Sequence, residues 1–116
     1  MTYVPRQGDI VWIDFDPAKG HEIQKRRPAV VMSSSAYNSA TRYCMVCPIT
    51  SNQKRNNPAY YSLDGYETSG QVVTLQLRTL DYSSAGKRKI QYIETLKEDD
   101  FFQIYQRVQL TLRLDD

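Results

Sequence analysis

Short apolar runs, each closed by polar or turn-forming residues, follow one another along the first two-thirds of the chain. Their richness in β-branched and aromatic residues predicts strands at residues 9–15, 28–32, 43–47, 59–63, 71–77 and 89–93. The run at 28–32 has no polar alternation, which is typical of a strand buried on both faces, whereas the run at 89–93 alternates as a half-buried strand does. Strands that recur every roughly ten to fifteen residues predict a small all-β barrel.

The C-terminal segment changes to a helical period. Its apolar residues recur at steps of three and four and so share one helix face: Phe101, Ile104, Tyr105, Val108 and Leu112. Thr95 and Glu98 are spaced as a capping box, and the acidic residues 98–100 suit a helix N-terminus. Apolar residues at 108–114 also alternate as in a strand, but no Gly or Pro interrupts the segment, which favours a helix. Such a helix has apolar residues on more than one face, as expected if it packs against the barrel and against a second subunit.

The composition is that of a small globular protein. The chain has 116 residues, of which 41% are hydrophobic and 24% charged, so a single domain over residues 1–116 is expected. The longest apolar run falls far short of the ~20 residues that a membrane helix needs. The N-terminus has no basic region followed by a long apolar stretch, which predicts a cytoplasmic protein without a signal peptide.

The distribution of charge is more informative than the net charge of +2. Nine of the fifteen Lys and Arg residues lie in three short stretches: Lys19, Lys25, Arg26 and Arg27, then Lys54 and Arg55, then Lys87, Arg88 and Lys89. If these stretches are loops that meet in the fold, they form a positive patch suited to a phosphate backbone. The alternative is that they are separate, solvated loops on a nearly neutral protein.

Three motifs suggest metal or redox chemistry, but each has a better structural interpretation. Cys44 and Cys47 have the spacing of a redox or zinc pair, yet residues three apart in a strand point to opposite faces, which favours structural cysteines. His21 and Glu22 resemble the start of the H-E-x-x-H motif of zinc proteases, but His21 is the single histidine of the chain, so the second ligand of that motif is missing. Asp14 and Asp16 could hold a magnesium ion, although Asp16 is better explained as the cap of a turn. No metal or cofactor is expected.

The segment 19–28 carries the groups needed to cleave RNA without a metal. In that reaction the 2′-hydroxyl loses a proton, the charge on the developing phosphorane is stabilised, and the 5′-oxygen gains a proton. His21 and Glu22 can exchange protons, whereas the guanidinium of Arg27 supplies positive charge and is a poor proton donor. Thr50 and Ser51 end a strand, and their hydroxyls could hold a phosphate oxygen.

Five segments, in order, resemble the MazF/PemK toxin family over nearly the whole chain: residues 8–17, 19–22, 27–31, 48–51 and 76–81. The resemblance implies an SH3-like β-barrel with a C-terminal helix, assembled as a homodimer. It also implies a toxin of a type II toxin–antitoxin module that is a sequence-specific, ribosome-independent endoribonuclease for single-stranded RNA. Such enzymes leave a 2′,3′-cyclic phosphate and a 5′-hydroxyl and need no metal. Their partner is an acidic, initially disordered antitoxin of the MazE/PemI type.

The resemblance also assigns roles to single residues. Arg27 falls on the family's catalytic arginine and Thr50 on its catalytic threonine. His21 and Glu22 match the loop of PemK-type members. A wider set is expected to bind RNA: Lys19, Gln24, Lys25, Ser51, Lys54, Arg55, Gln76 and Arg78.

The chain departs from the family where many relatives carry an acidic residue, directly before the glutamine of the fifth strand. Some PemK-type members use an Asp there as the base, but this chain has Leu75, and Val73 replaces an arginine two positions earlier. The general base therefore cannot be carried over from the family. We expect Glu22 to accept the 2′-hydroxyl proton and His21 to donate to the leaving 5′-oxygen.

Two other functions stay open at this point. The same barrel occurs in a gyrase-poisoning toxin, which binds a protein target and cleaves nothing. A degenerate member of the family could also bind RNA without cleaving it. The presence of His21, Glu22, Arg27 and Thr50 together favours the nuclease.

Overall fold

Seven strands and two α-helices make up the part of the chain that the computed structural model describes, residues 3–17, 20–52 and 56–115. The strands are β1 (Asp9–Asp14), β2 (Arg26–Val31), β3 (Tyr43–Thr50), β4 (Tyr60–Ser62), β5 (Gln71–Val73), β6 (Arg78–Asp81) and β7 (Gln91–Thr95). The helices are α1 (Ser35–Thr41) and α2 (Glu98–Thr111). Each of the six predicted strands overlaps an observed one, whereas β6 and α1 were not predicted. The run expected at 71–77 ends early, because the chain turns into a 3-10 helix at Thr74–Gln76.

The strand β3 lies inside a seven-stranded antiparallel sheet. On one side it pairs with β2, and on the other it pairs with β6 through residues 43–46 and with β5 through residues 49–50. β1 follows β2, and β4 and β7 form the two edges of the strand order. The expected fold class, mainly β with a C-terminal helix and SH3-like, is confirmed. Across the described residues the pairings leave the sheet open between β4 and β7 rather than closing a barrel.

Apolar side chains cover both faces of this sheet. On one face, which we call the helix-side core, the sheet packs against α2: Ile10, Val30, Met32, Cys47, Ile49, Leu63, Val72, Leu96, Ile104 and Val108. The other face carries what we call the opposite core: Val11, Ile13, Phe15, Ala29, Val31, Cys44, Val46, Leu80 and Tyr82. Successive residues of β2 enter the two cores in turn, which confirms that the 28–32 run is buried on both faces.

The two cysteines belong to different cores. Cys44 lies in the opposite core and Cys47 in the helix-side core, and both are buried and free. Burial raises the pKa of each thiol to about 12, so neither is a reactive thiolate near neutral pH. The interpretation of the pair as structural cysteines on opposite strand faces is confirmed.

The C-terminal helix begins where the sequence predicts, but without the predicted cap. Lys97 occupies the N-cap and makes no side-chain capping bond. The predicted capping box is wrong, because Thr95 still belongs to β7 and its hydroxyl donates to Asp9 at 3.1 Å. The helix ends at Thr111, so Leu112, which was expected on its buried face, lies beyond the helix and is 68% exposed. No helix in the described part of the chain is long and apolar enough to cross a membrane.

A carboxylate with two tyrosine donors ties α2 to the sheet. Asp100, in the first turn of α2, accepts hydrogen bonds from the hydroxyls of Tyr61 and Tyr66, each at 2.5 Å. These bonds hold the pKa of Asp100 below its usual range. Burial and the bond to Asp100 raise the pKa of Tyr61 to about 12. The carboxylate therefore stabilises the fold in its ionised form.

We expect Asp100→Asn to lower the free energy of unfolding by about 2 kcal/mol at neutral pH, since hydrogen bonds to a charged group contribute roughly 1.5–3 kcal/mol. The pKa of this carboxyl is lower in the folded than in the unfolded state. Its contribution is therefore present above the unfolded pKa and lost as pH falls through the folded pKa. Urea unfolding of both proteins should show their stability difference shrinking below about pH 4. A difference that stays constant to lower pH would contradict this role.

Candidate active site

Two polar side chains stand level with each other at one end of the sheet. Arg27 is the second residue of β2 and pairs with Ile13, and Thr50 is the last residue of β3. β2 and β3 pair with Ala29 opposite Pro48, and this register, extended by two residues, sets Arg27 opposite Thr50. Because cross-strand partners share a face, both side chains lie on the face that carries the opposite core.

The guanidinium of Arg27 is partly tethered. The side chain is half-buried, and its Nε donates to the backbone carbonyl of Gln24 at 2.9 Å. Among the described residues its two terminal nitrogens have no hydrogen-bond partner. These nitrogens can donate in parallel to two oxygens of an anion such as a phosphate.

The position of Thr50 is fixed by its own turn and by the start of β5. Thr50 is buried, and its hydroxyl oxygen accepts the backbone N–H of Asn52 at 3.2 Å. Gly70 has a φ of +125°, and a Cβ at that position would lie 2.4 Å from the carbonyl oxygen of Thr50. Only glycine allows this approach. The hydroxyl hydrogen of Thr50 can be donated to a ligand, and Ser51 follows it at the exposed surface.

Backbone hydrogen bonds hold the segment that carries His21 and Glu22 next to this end of the sheet. The N–H of Ile23 donates to the side-chain oxygen of Gln76 at 2.8 Å. The N–H of Lys25 donates to Asp16 at 2.9 Å. His21 and Glu22 are exposed in the turn that precedes these anchors. The structure therefore brings both to the same end of the sheet as Arg27.

Two residues expected to bind RNA also make internal contacts. Gln76 accepts the Ile23 N–H, as described above, and so anchors the loop. Arg78 donates to the carbonyl of Phe15 at 2.9 Å and lies 5.7 Å from the centre of the Phe15 ring. Both are half-buried. Their contacts position the end of β1 and the loop that follows it.

The remaining residues of the expected RNA-binding set divide into two groups. Gln24, Lys25 and Ser51 are exposed at this end of the sheet. Lys19, Lys54 and Arg55 lie outside the described residues. The two positions where the chain departs from its family also differ from each other: Leu75 is 53% exposed, whereas Val73 is fully buried in β5.

Two of the three basic stretches meet, as one of the two interpretations predicted. The guanidinium of Arg26 donates to the carbonyl of Lys89. The guanidinium of Arg88 donates to the carbonyl of Asp14 at 3.0 Å and to that of Asp16 at 2.6 Å. These two arginines therefore hold the 14–26 hairpin against the 82–90 loop. The third stretch, residues 54–55, lies outside the described part of the chain.

The carboxylates of Asp14 and Asp16 serve as turn caps. Asp14 accepts the backbone N–H of Asp16 at 2.9 Å, and Asp16 accepts that of Lys25. These bonds support the capping interpretation over a magnesium pair. Among the described residues, no three His, Cys, Asp or Glu side chains are grouped as metal ligands.

Gln71 belongs to this end of the sheet and was not singled out from the sequence. It pairs with Thr50 and is buried, whereas Val72 and Val73 complete the same strand. A polar residue at the start of an apolar strand was the signal that could have found it.

Comparisons with known proteins agree on one family. A family model described as PemK-like, MazF-like toxin of type II toxin–antitoxin systems matches residues 6–112. The endoribonuclease toxin MazF of Escherichia coli (strain K12) is 39% identical over 87 residues, which cover 75% of this chain and 78% of the relative. The crystal structure of MazF from Deinococcus radiodurans superposes with a TM-score of 0.85 at 32% identity, covering 96% of this chain and 98% of that one. A MazE–MazF complex from the same organism gives a TM-score of 0.80 at 33% identity, covering 96% and 97%.

We expect Gln76→Leu to release the loop that carries His21 and Glu22. Leucine cannot accept the Ile23 N–H, and loss of a hydrogen bond that contributes roughly 1 kcal/mol should speed exchange of that amide about five-fold. Amide hydrogen exchange followed by NMR measures it. The Phe15 amide, which donates to the carbonyl of Lys25 at 2.9 Å in the same hairpin, is the internal control and should keep its rate. An unchanged Ile23 amide would show that Gln76 does not anchor the loop.

Proposed function

Because the chain belongs to the PemK/MazF family of type II toxin–antitoxin toxins, we propose that it is a toxin that cleaves single-stranded mRNA at specific sequences. The class of enzyme, an endoribonuclease, is that of the relatives that match most of the chain. The observation that carries the proposal for this chain is the register that sets Arg27 opposite Thr50 beside the loop of His21 and Glu22.

In the proposed reaction the 2′-oxygen attacks the adjacent phosphorus while the bond from phosphorus to the 5′-oxygen breaks. The products are a 2′,3′-cyclic phosphate and a 5′-hydroxyl. The free terminal nitrogens of Arg27 stabilise the added charge on the phosphorane. The hydroxyl of Thr50, fixed by its bond from Asn52, donates to a non-bridging oxygen and positions the phosphate.

Proton transfer is assigned to the exposed pair His21 and Glu22. Glu22 accepts the proton of the 2′-hydroxyl, and His21, when protonated, gives a proton to the leaving 5′-oxygen. Leu75 has no titratable group and Arg78 is held by Phe15, so neither serves this purpose. The chemistry uses only side chains and needs no metal.

The RNA chain is proposed to lie across this end of the sheet. The exposed residues Gln24, Lys25 and Ser51 contact it there. Lys19, Lys54 and Arg55 stay part of the proposed surface on the strength of their charge in the sequence. Gln76 and Arg78 contribute by holding the loop in place rather than by contacting RNA.

The proposed partners are an acidic antitoxin and a second copy of the chain. A solved complex of MazE with MazF from Deinococcus radiodurans supports the antitoxin, whose acidic segment would be attracted to the basic hairpin of Lys25 and Arg26. Phe102 and Leu110 of α2 are 55% and 62% exposed. Apolar side chains exposed on a helix support the homodimer. The toxin and its antitoxin would act in the cytoplasm.

Arg27→Ala should lower the single-turnover rate of RNA cleavage by about 1,000-fold, because it removes the charge that stabilises the phosphorane. Denaturing gels of a defined single-stranded RNA measure the rate. Arg6→Ala is the control and should keep the wild-type rate. Arg6 is an exposed arginine that precedes the start of β1, whereas Arg27 pairs with Ile13 near the end of that strand. Near wild-type cleavage by Arg27→Ala would refute the assignment. Wild-type protein that shifts RNA mobility but leaves it whole would favour the RNA-binding alternative.

Cleavage should persist at the same rate in excess EDTA, because the proposed mechanism uses no metal ion. The matched comparison is the same reaction with added magnesium, which should change the rate only through RNA structure and ionic strength. Activity that EDTA removes and magnesium restores would bring back Asp14 and Asp16 as a metal pair.

The pH profile of cleavage should separate the two proton-transfer groups. A base must be deprotonated, so Glu22→Gln should remove the acidic limb, along which the rate rises with pH. An acid must be protonated, so His21→Ala should remove the basic limb, along which the rate falls. Single-turnover rates across pH for the wild type and both variants test this. If both variants keep the wild-type profile and rate, other groups transfer the protons.

A further inference from the structure

One buried polar side chain at this end of the sheet has no part in the roles given so far. Gln71 is the first residue of β5 and is only 7% exposed, and Val72 and Val73 after it are fully buried. An amide taken out of water costs roughly 1–3 kcal/mol unless it is hydrogen-bonded. An apolar residue would fit this buried position without that cost. The side chains around Gln71 give the reason for an amide here.

One of those neighbouring side chains belongs to the candidate active site. Gln71 pairs with Thr50 of β3 on one side and with Ser62 of β4 on the other. The three side chains share a face, and cross-strand Cβ atoms lie about 5 Å apart. The amide nitrogen of Gln71 donates to the hydroxyl of Ser62 at 3.1 Å. Ser62 thus orients an amide that stands beside Thr50.

The backbone around Gln71 is held tightly against Thr50. Gly70 packs so close that a Cβ would lie 2.4 Å from the Thr50 carbonyl oxygen. The carbonyl of Gly70 accepts the N–H of Leu63 at 3.0 Å, which fixes β5 to β4 as well. Gln71 therefore cannot move relative to Thr50 without breaking the strand pairing.

Resting on the proposed function, we propose that Gln71 is a positioning residue for RNA cleavage. Oriented by Ser62, its amide holds Thr50, and the phosphate that Thr50 contacts, level with Arg27. The amide is uncharged and acts through geometry alone. Because a misplacement of about 1 Å can lower a rate about 100-fold, a residue of this kind affects the chemical step more than the binding of RNA.

The first test replaces the amide with an apolar side chain of similar length. Gln71→Met should lower the single-turnover rate at saturating RNA about 10-fold and leave KM unchanged. Thr74→Val is the matched control: Thr74 is also buried, and its hydroxyl donates to the carbonyl of Ala59 at 2.9 Å. Its loss should lower the Tm but not the rate. A Gln71→Met protein that cleaves at the wild-type rate overturns the inference.

The second test adds a charge without changing the shape. Gln71→Glu should cleave slowly at neutral pH, since a carboxylate beside Thr50 repels the phosphate. Its rate relative to the wild type should recover as pH falls and the carboxyl is protonated. Circular dichroism at each pH shows whether the variant stays folded, because a buried carboxylate that only weakened the fold would also recover on protonation. With the variant folded throughout, a constant ratio across pH overturns the inference.

The third test examines the partner of the amide. Ser62→Ala should lower the rate in the wild-type background but add little to Gln71→Met, because the two side chains act as one unit. If Gln71→Met does not fold, the Ser62→Ala and Gln71→Glu results decide the matter. If these variants cleave RNA at the wild-type rate, the inference about Gln71 is overturned and the proposed function is not. A wild-type protein that leaves every RNA uncut overturns the proposed function instead.

Discussion

The burial of β3 on both faces is the constraint on which the rest of the structure depends. Its side chains enter the two cores in turn, with Cys44 and Val46 on one face and Cys47 and Ile49 on the other. Its backbone pairs with β2 on one side and with β6 and then β5 on the other. Pro48 stands between the residues paired with β6 and those paired with β5. A residue that lacks an N–H is best tolerated where the hydrogen-bonding partner changes.

The polar chemistry is placed where this buried strand runs out. Thr50 is the last residue of β3 and is buried, and the register of β2 and β3, extended by two residues, sets Arg27 opposite it. The segment beside them is held by the side chains of Gln76 and Asp16, which accept the backbone N–H groups of Ile23 and Lys25.

Periodicity predicted the sheet well, because strands buried on one or both faces leave a clear record in apolar residues. It failed where burial is small or local. Strand β6 was missed because its four residues follow the 71–77 run with no turn residue between them. Helix α1 was missed because Asn38 is its only buried residue, so it has no apolar face to recognise. The predicted capping box was wrong because Thr95, although it matches the motif, is the last residue of β7, where its hydroxyl donates to Asp9.

Residue type pointed to side chains that the structure brings to one end of the sheet, such as Arg27 and Thr50, but it did not predict the internal contacts that others make. Gln76 and Arg78 have the chemistry of RNA ligands, yet they are hydrogen-bonded to the backbone of Ile23 and of Phe15. Such contacts join residues that are far apart in the sequence, so residue type alone does not predict them.

The hydrogen bonding of Arg27 suits the role that the proposed mechanism gives it. Its Nε is tied to the carbonyl of Gln24, which limits rotation of the side chain, while its terminal nitrogens stay free among the described residues. A guanidinium fixed in this way needs little reorganisation when negative charge develops nearby. Because Leu75 supplies no acidic base at its position, the proposed mechanism assigns proton transfer to His21 and Glu22 and leaves Arg27 to stabilise charge.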